Sequence, residues 1–119
     1  MLQDFRNLKV WEKGHQLALA IYTVTTKFPK HEMYGLTSQL RRAAGSIPAN
    51  IAEGCGRSGK AELARFLDIS LGSASEVEYH LILAHDLGFL DEKDYRAINT
   101  QAVELKRMLT SFILKLRSR

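Results

Sequence analysis

Residues 63–88 read LARFLDISLGSASEVEYHLILAHDLG, and the spacing of the small and apolar side chains in this stretch decides the fold class. These side chains recur at alternating steps of four and three residues, at Leu63, Leu67, Ser70, Ala74, Val77, Leu81, Ala84 and Gly88. Such alternation is typical of the seam along which one helix packs at a shallow angle on another. We therefore predict a long helix over roughly residues 59–87.

The same spacing continues on both sides of this stretch, in three further segments. Its positions are Val10, Gly14, Leu17, Ile21, Val24 and Phe28 in the first segment, Leu36, Leu40, Ala43, Ile47, Ile51 and Gly54 in the second, and Tyr95, Ile98, Ala102, Leu105, Leu109, Phe112 and Leu116 in the last. No stretch alternates between apolar and polar residues for long enough to indicate a strand. The sequence therefore predicts an all-α protein of four helices.

Glycine and proline residues mark where the four helices are connected. The connections are bracketed by Pro29 and Gly35, by Gly54, Gly56 and Gly59, and by Gly88 and Asp91. Three short connections between helices of similar length predict an antiparallel, up-down-up-down four-helix bundle.

Local signals predict details at the helix ends and at one position inside a helix. Asp91 is a good N-cap for the last helix, and Gly88 suits the position just after the third. Ser58 is the expected cap of the third helix. Pro48 removes a backbone donor opposite the carbonyl of Ala44, which predicts a bend in the second helix rather than a ligand site.

Length and composition limit the class of protein. A chain of 119 residues with one cysteine predicts a single domain, residues 1–119, without an intrachain disulfide. The longest apolar stretch, Leu17–Tyr22, is far too short to span a membrane. Residues 1–6 include an acid and lack the basic-then-apolar order of a signal peptide. We therefore expect a cytoplasmic protein that does not contact the membrane.

The net charge of +4 is distributed unevenly along the chain. Residues 61–100 carry three basic and eight acidic side chains, net −5, whereas residues 36–60 carry net +3 and residues 101–119 net +4. Basic segments indicate an acidic partner such as nucleic acid. The alternative is that acidic and basic segments face each other, within one molecule or between copies in a ring of head-to-tail contacts.

The glycine-rich segment Gly54–Ala61 matches parts of two nucleotide-binding motifs. Its first six residues fit G-x-G-x-x-G, and its first seven fit the start of a P-loop, G-x-x-x-x-G-K. A P-loop needs Ser or Thr after the lysine, whereas Ala61 follows Lys60 here, and both motifs require a preceding strand. We therefore reject nucleotide hydrolysis. A weaker interpretation, a backbone phosphate resting on free amides at the start of the third helix, stays open beside a simple hinge.

A few residues carry side chains that are used in catalysis or metal binding elsewhere. Glu12 and His15 have the E-x-x-H spacing of di-iron bundles, which need this motif on two helices. The third helix instead offers Glu76 and His80, four residues apart, and no histidine is close in sequence to Cys55. We predict no metal site, no cofactor and no enzymatic activity. The enzyme alternative would use Glu12, His15 or Cys55.

Several runs of residues together resemble one protein family. They are Ser46–Gly54 (SIPANIAEG) with Gly56 and Arg57, then Arg65–Leu67, Gly72–Glu76, Phe5–Trp11 and Leu87–Leu90. This combination is similar to the four-helix-bundle proteins of the 23S rRNA intervening-sequence (S23) family over nearly the whole chain. The resemblance implies an antiparallel bundle that assembles as a homopentamer, without enzymatic activity or a cofactor.

The resemblance also implies a connection to nucleic acid. Some genes of the family lie inside inserts of bacterial 23S rRNA genes. Related bundle proteins are accessory factors to the reverse transcriptase of diversity-generating retroelements, where a basic pentameric barrel binds nucleic acid.

We predict that an oligomer of this chain binds RNA or DNA through backbone phosphates, with low sequence specificity. The candidate nucleic-acid-binding residues are Arg41, Arg42, Arg57, Lys60, Lys106, Arg107, Lys115, Arg117 and Arg119. The simpler interpretation is that these bases are solvated and confer solubility. The basic segments contain no aromatic cluster that would predict a base-stacking surface. The second function hypothesis is a scaffold that recruits a protein client, such as a reverse transcriptase, through Trp11, His15 and Tyr22.

Overall fold

The computed structural model describes residues 4–118, which form four α-helices and contain no strand. The helices are α1 (Lys9–Thr25), α2 (Leu36–Cys55), α3 (Lys60–Asp86) and α4 (Glu92–Arg117). Single turns of 3₁₀-helix, Phe5–Asn7 and Lys30–Glu32, precede α1 and α2. The prediction of an all-α protein with four helices is confirmed, and α3 differs from the predicted segment by one residue at each end.

The length of the helices sets the shape of the molecule, which measures 46 × 22 × 19 Å. α3 has 27 residues. A helix of that length is about 40 Å long at 1.5 Å per residue, so α3 must run along the long axis. No helix within residues 4–118 combines the length and the apolar character that crossing a membrane requires.

The core is one cluster of apolar side chains drawn from all four helices. Its fully buried members include Leu17 of α1, Leu40 of α2, Leu67 and Leu81 of α3, and Leu109 of α4. All seam positions predicted for the first two helices are buried, and in α3 only the end positions, Leu63 and Gly88, are not. Burial of apolar surface, at roughly 25 cal/mol per Å², is the main force that holds the helices together.

The predicted seam of α4 lies at the edge of the core at both of its ends. Tyr95, Phe112 and Leu116 are only half-buried, and the side chain that enters the core near the C-terminal end is Ile113, at 5% exposed. A straight α-helix drifts by about 20° per seven residues from a strict 3.5-residue repeat. Over the 26 residues of α4, this drift turns Phe112 towards the edge of the core and brings Ile113 into it.

α4 and α3 begin with different caps. The carboxylate of Asp91 accepts a hydrogen bond from the amide of Asp94 at 2.8 Å, so the predicted N-cap of α4 is confirmed. α3 begins after Gly59, which has a φ of +86° and provides no side-chain cap. The prediction that Ser58 caps α3 is therefore wrong. A residue without Cβ adopts this φ at little cost, and this explains why the chain enters α3 through a glycine.

α3 ends in the hydrogen-bond pattern of a Schellman motif. Gly88 has a φ of +80°, and its amide donates to the carbonyl of His85 at 3.0 Å. The amide of Phe89 donates to the carbonyl of Ala84 at 2.9 Å. A left-handed glycine at this position satisfies carbonyls that the end of the helix leaves without partners. The predicted role of Gly88 is confirmed.

Pro48 is buried inside α2, and the helix continues through it. The hydroxyls of Ser46 and Ser73 share a hydrogen bond between α2 and α3. The side-chain amide of Asn50 donates to the carbonyl of Ser46 at 2.8 Å. The polar groups next to Pro48 therefore bind each other and α3, while the bend itself stays a prediction.

Two glycines allow neighbouring helices to approach closely. A Cβ at Gly14 of α1 would lie 3.1 Å from Cγ2 of Ile47 in α2. A Cβ at Gly54 of α2 would lie 2.9 Å from Cβ of Phe66 and 3.0 Å from Cδ1 of Leu63, both in α3. Because interiors are close-packed, a larger residue fits at Gly54 only if α3 moves. Gly54 is the penultimate residue of α2, so this contact lies next to the α2–α3 connection.

Candidate nucleic-acid interface

The predicted phosphate-binding residues lie on separate parts of the bundle. Those that line concavities group as Arg41 with Arg42, Lys106 with Arg107, and Arg57 with Lys60 and Lys115. Arg117 lies on the last turn of α4, where it contacts α3, and Arg119 lies outside the described residues. Within residues 4–118 the predicted site is therefore divided among at least three surfaces.

Two of the predicted bases are balanced by carboxylates of α3. Nζ of Lys106 lies 2.6 Å from Oε1 of Glu78, and an Nη atom of Arg117 lies 2.6 Å from Oδ2 of Asp68. The side chains of Lys106 and Glu78 are only 31% and 25% exposed, so salt screens this pair less than a fully exposed one. The acidic and basic segments thus meet within one molecule, which is one of the arrangements that the charge pattern left open.

The basic residues beside the α2–α3 connection are more exposed. Arg57 pairs with Glu53 at 3.0 Å, and its guanidinium carbon lies 5.2 Å from the centroid of the Phe66 ring. An exposed ion pair is worth about 0–1 kcal/mol, so a phosphate can replace the carboxylate at little cost. Lys60 and Lys115 are exposed, and neither forms an ion pair with a described carboxylate.

Arg41 is fixed against the last turn of α1. Its Nε atom donates to Oγ1 of Thr25 at 2.8 Å, and an Nη atom donates to the carbonyl of Tyr22 at 3.3 Å. The guanidinium carbon lies 4.8 Å from the centroid of the Tyr22 ring, in a cation–π contact. Because the C-terminal end of a helix favours a cation, these contacts hold a positive charge in a defined place.

Arg41 also borders a concavity of about 340 Å³ that presents exposed aromatic side chains. We call it the Arg–Tyr surface, and its lining residues are Tyr22, Met33, Tyr34, Thr37, Ser38, Arg41 and Arg42. Tyr34 is 97% exposed and Tyr22 is 49% exposed. Arg42 is exposed and forms no ion pair within residues 4–118, and none of the lining residues is a carboxylate. The surface therefore combines two cations with two accessible rings.

The Arg–Tyr surface was not predicted, because its parts come from separate stretches of the chain. Tyr22 belongs to α1, Tyr34 to the connection before α2, and the arginines to α2. One signal was available in the sequence: Tyr22 falls outside the apolar seam formed by Ile21 and Val24, and Tyr34 precedes a loop glycine. The distance between these residues across the connection could not be read from spacing.

Arg107 lines a different concavity, of about 490 Å³, along the outer side of α4. Glu78 and Lys106 border the same space, and Leu114, which is 66% exposed, forms part of its wall. Arg107 is exposed and forms no ion pair within residues 4–118, unlike its neighbour Lys106. This surface offers one uncompensated cation beside an ion pair.

The residues considered for catalysis make structural contacts. The ring of His15 stacks on that of Trp11, with centroids 5.0 Å apart. Cys55 is buried, and burial, with a smaller effect from the charge of Asp4, raises the pKa of its thiol. A raised pKa disfavours the nucleophilic thiolate. In the part of the chain that the structure describes, no three His, Cys, Asp or Glu side chains form a group that could hold a metal ion.

The comparisons with known proteins identify the family. Residues 6–111 match the family model described as 23S rRNA-intervening sequence protein. Among solved structures, the chain is similar to a protein of unknown function from the S23 ribosomal protein family of Bacteroides thetaiotaomicron, with 28% identity and a TM-score of 0.79. That match covers 87% of this chain and 97% of the other. No curated protein matches the chain. The family resemblance is confirmed, and the protein belongs to the 23S rRNA-intervening sequence protein family.

Proposed function

We propose that this protein is a non-catalytic, cytoplasmic homo-oligomer that binds the phosphate backbone of RNA or DNA. One observation carries the proposal: four of the predicted bases are exposed and form no ion pair within residues 4–118. They are Arg42, Lys60, Arg107 and Lys115. Cations that no carboxylate neutralises are the groups that bind phosphates and release counterions from nucleic acid.

An antiparallel order of helices is part of this proposal. Arg117, at the end of α4, pairs with Asp68 near the start of α3, whereas Lys106 pairs with Glu78 further along α3. Rising residue numbers on one helix therefore meet falling numbers on the other, which supports opposite directions for the two helices.

Self-assembly is supported by apolar side chains that the single chain leaves exposed. On α3 these are Ile69, Tyr79 and Ile82, at 40%, 57% and 45% exposed, and on α4 Leu114 is 66% exposed. The resemblance to the family implies five copies. Light scattering should give a mass five times the 13.5 kDa of one chain. A monodisperse monomer at physiological salt would contradict the assembly.

The binding proposal is tested with labelled RNA and duplex DNA, by fluorescence anisotropy at two salt concentrations. Affinity should fall steeply with salt, and each phosphate contact that is removed should reduce the slope of log K against log salt by about 1. The variant in which Arg42, Lys60, Arg107 and Lys115 are replaced by Gln should lose most of its affinity.

A matched control is available in α4. The double variant Glu78→Gln with Lys106→Gln removes an ion pair without changing the net charge and retains Arg107. Its affinity should stay within about twofold of wild type, because the pair presents no net charge to a phosphate. Absence of binding by the wild-type protein at low salt would refute the proposed function.

The alternative function, recruitment of a protein client, is favoured by a separate observation. Trp11, His15, Leu19 and Tyr22 recur at helical spacing on one face of α1, and Leu19 is 54% exposed. Binding of a protein client to this face would persist at high salt. It would be lost when an apolar side chain of the face is replaced by a charged one, for example in Leu19→Asp. Binding to nucleic acid would survive that substitution.

A further inference from the structure

We propose that the Arg–Tyr surface is a binding site for single-stranded nucleic acid, in which an unpaired base stacks on Tyr34 and its phosphate pairs with Arg42. This inference rests on the proposed function and narrows it to one kind of strand and one place on the bundle. It has a separate basis, because it depends on aromatic side chains that phosphate binding alone does not require.

Hydrogen bonds hold the backbone directly after Tyr34. The amide of Gly35 donates to the carbonyl of Glu32 at 2.9 Å. The amide of Leu36 donates to the carboxylate of Glu32 at 3.0 Å, which fixes the start of α2 directly after the tyrosine. Because Tyr34 itself is 97% exposed, its ring adds little to the packing of the core. The backbone next to the ring is therefore held in place, so a base that stacks on Tyr34 does not have to order this part of the chain.

Tyr22 and Arg41 line the same surface and contact each other. Two of the five N–H groups of the Arg41 guanidinium are used, one by Thr25 and one by the Tyr22 carbonyl. The remaining N–H groups of Arg41 are available for phosphate oxygens, so the surface offers a fixed cation beside the exposed Arg42. Arginine forks fit the geometry of phosphate oxygens better than the point charge of a lysine does.

The charge and size of the surface fit one nucleotide unit. The lining has two arginines and no carboxylate, and the carboxylate of the nearby Glu32 is engaged by the amide of Leu36. Sites for small organic groups have volumes of about 300–1,000 Å³, and this concavity, at about 340 Å³, is at the lower limit. The concavity is therefore large enough for a single base with its phosphate.

Stacking on an exposed tyrosine selects single strands over duplexes. In a duplex the faces of the bases are covered by their neighbours, whereas an unpaired base offers a free face to an aromatic ring. Such stacking accepts every base, because all of them have a π-face, so sequence specificity should be low.

A protein ligand fits this surface less well. Met33 is its only aliphatic side chain. Stable protein interfaces bury about 800 Å² per partner around an apolar centre. The charge of two arginines without a carboxylate favours a polyanion instead.

The experiment measures the anisotropy of labelled oligonucleotides of about 12 nucleotides, within the site sizes of single-strand-binding domains. Oligo-dT, oligo-U and a duplex of equal length are titrated with the full chain. Wild type should bind the single strands more tightly than the duplex. Tyr34→Ala should weaken single-strand binding by about tenfold and leave duplex binding unchanged, while Tyr34→Phe retains it.

Two further variants separate stacking from charge. Leu87, directly after α3, is 52% exposed and does not line the Arg–Tyr surface, so Leu87→Ala controls for the loss of an exposed apolar side chain. It should bind single strands like wild type. Arg42→Gln should weaken binding to both kinds of strand and reduce the salt dependence.

The outcomes distinguish this inference from the function on which it rests. Wild-type affinity in Tyr34→Ala, with affinity still lost in the variant that lacks the four bases, overturns the single-strand site and leaves phosphate binding intact. No binding of wild type to any oligonucleotide at low salt overturns both. If Tyr34→Ala changes the oligomeric mass but not the affinity, the surface is a contact between copies and the inference fails.

Discussion

The hydroxyl of Ser70, in the middle of α3, donates a hydrogen bond of 2.8 Å to the backbone carbonyl of Ile47 in α2. Ser70 is fully buried and occupies a position in the apolar seam of its helix. A polar group in a core is tolerated when it is hydrogen-bonded, and this bond joins two helices directly. The bond explains why the seam contains a serine between Leu67 and Ala74.

Replacing Ser70 by alanine should lower the free energy of unfolding by about 1 kcal/mol, the usual net value of such a hydrogen bond. Urea denaturation followed by circular dichroism measures the change. Ser75→Ala, an exposed position on the same helix, is the control and should change the stability by less than about 0.5 kcal/mol. If the two substitutions lower the free energy of unfolding equally, the hydrogen bond to Ile47 does not contribute to stability.

Gly54→Ala should destabilise the protein by about 1–3 kcal/mol, because the added Cβ would lie 2.9 Å from Cβ of Phe66. That atom belongs to the stiff base of a side chain in α3 and yields only if the helix moves. Thermal unfolding of the variant measures the loss.

The matched control for Gly54 lies in the same helix. No atom lies within 4 Å of a Cβ built at Gly45. Gly45→Ala should therefore raise the stability by about 0.5–1 kcal/mol, since alanine is the better helix former. A destabilised Gly45→Ala variant together with an unaffected Gly54→Ala variant would reverse the predicted order and contradict the packing argument.

Cys55 should react slowly with a disulfide reagent in the folded protein. Burial, followed by the nearby charge of Asp4, raises the pKa of its thiol, so the thiolate fraction at neutral pH is lower than in the unfolded chain. The reaction is followed by the absorbance of the thiol that the reagent releases. Cys55 should react at least about tenfold more slowly in the folded protein than in denaturant. If Cys55 reacts equally fast in the folded and the unfolded protein, it becomes a candidate nucleophile again.

Acid should destabilise the protein in part through two carboxylates. Hydrogen bonds from Arg65 and Arg96 lower the pKa of Glu62 and Glu92 below the ordinary value of 4.5. Because the pKa of each carboxyl is lower in the folded state, the two carboxylates stabilise the fold above pH 4.5. This stabilisation is lost as the pH falls through the folded-state pKa. Melting temperatures measured from neutral pH down to about pH 3 show the loss of stability, because this range includes the pH at which carboxylates titrate.

The comparison for the acid effect is the double variant Glu62→Gln with Glu92→Gln. It should melt at a temperature that declines less between about pH 5 and pH 3 than that of wild type. The difference should be small, because both ion pairs are exposed to solvent and water screens them. A steeper decline in the double variant would show that the sign of the argument is wrong.

Much of the fold was predictable because the side chains that are buried between packed helices recur at regular spacing in the sequence. The buried positions of α2 and the N-cap Asp91 follow from spacing and residue type alone. Ile113 did not, because a few degrees of drift per turn decide which of two adjacent residues enters the core. Ser58 was misplaced as a cap because local sequence does not specify the φ of Gly59.

The candidate site was less predictable, because it depends on contacts between residues far apart in the chain. Lys106 and Arg107 are neighbours with the same formal charge, yet one is paired with Glu78 and the other has no described carboxylate partner. Which helix lies opposite each side chain decides this difference. In the same way, Tyr22 and Tyr34 become one surface only after α2 packs against α1.

Most contacts between helices join helices that follow each other in the chain. The exception is the contact between α1 and α4. Two ion pairs bridge these helices, Lys13–Glu104 at 3.2 Å and Lys27–Asp94 at 3.4 Å. Each consecutive pair closes through a short connection, so little loop entropy is lost before contacts form. Docking of the last helix on the first is the one step that spans most of the chain. Proteins with such local topology fold in about microseconds to milliseconds. The bundle therefore spends little time as a partly formed chain with its apolar seams open to other molecules.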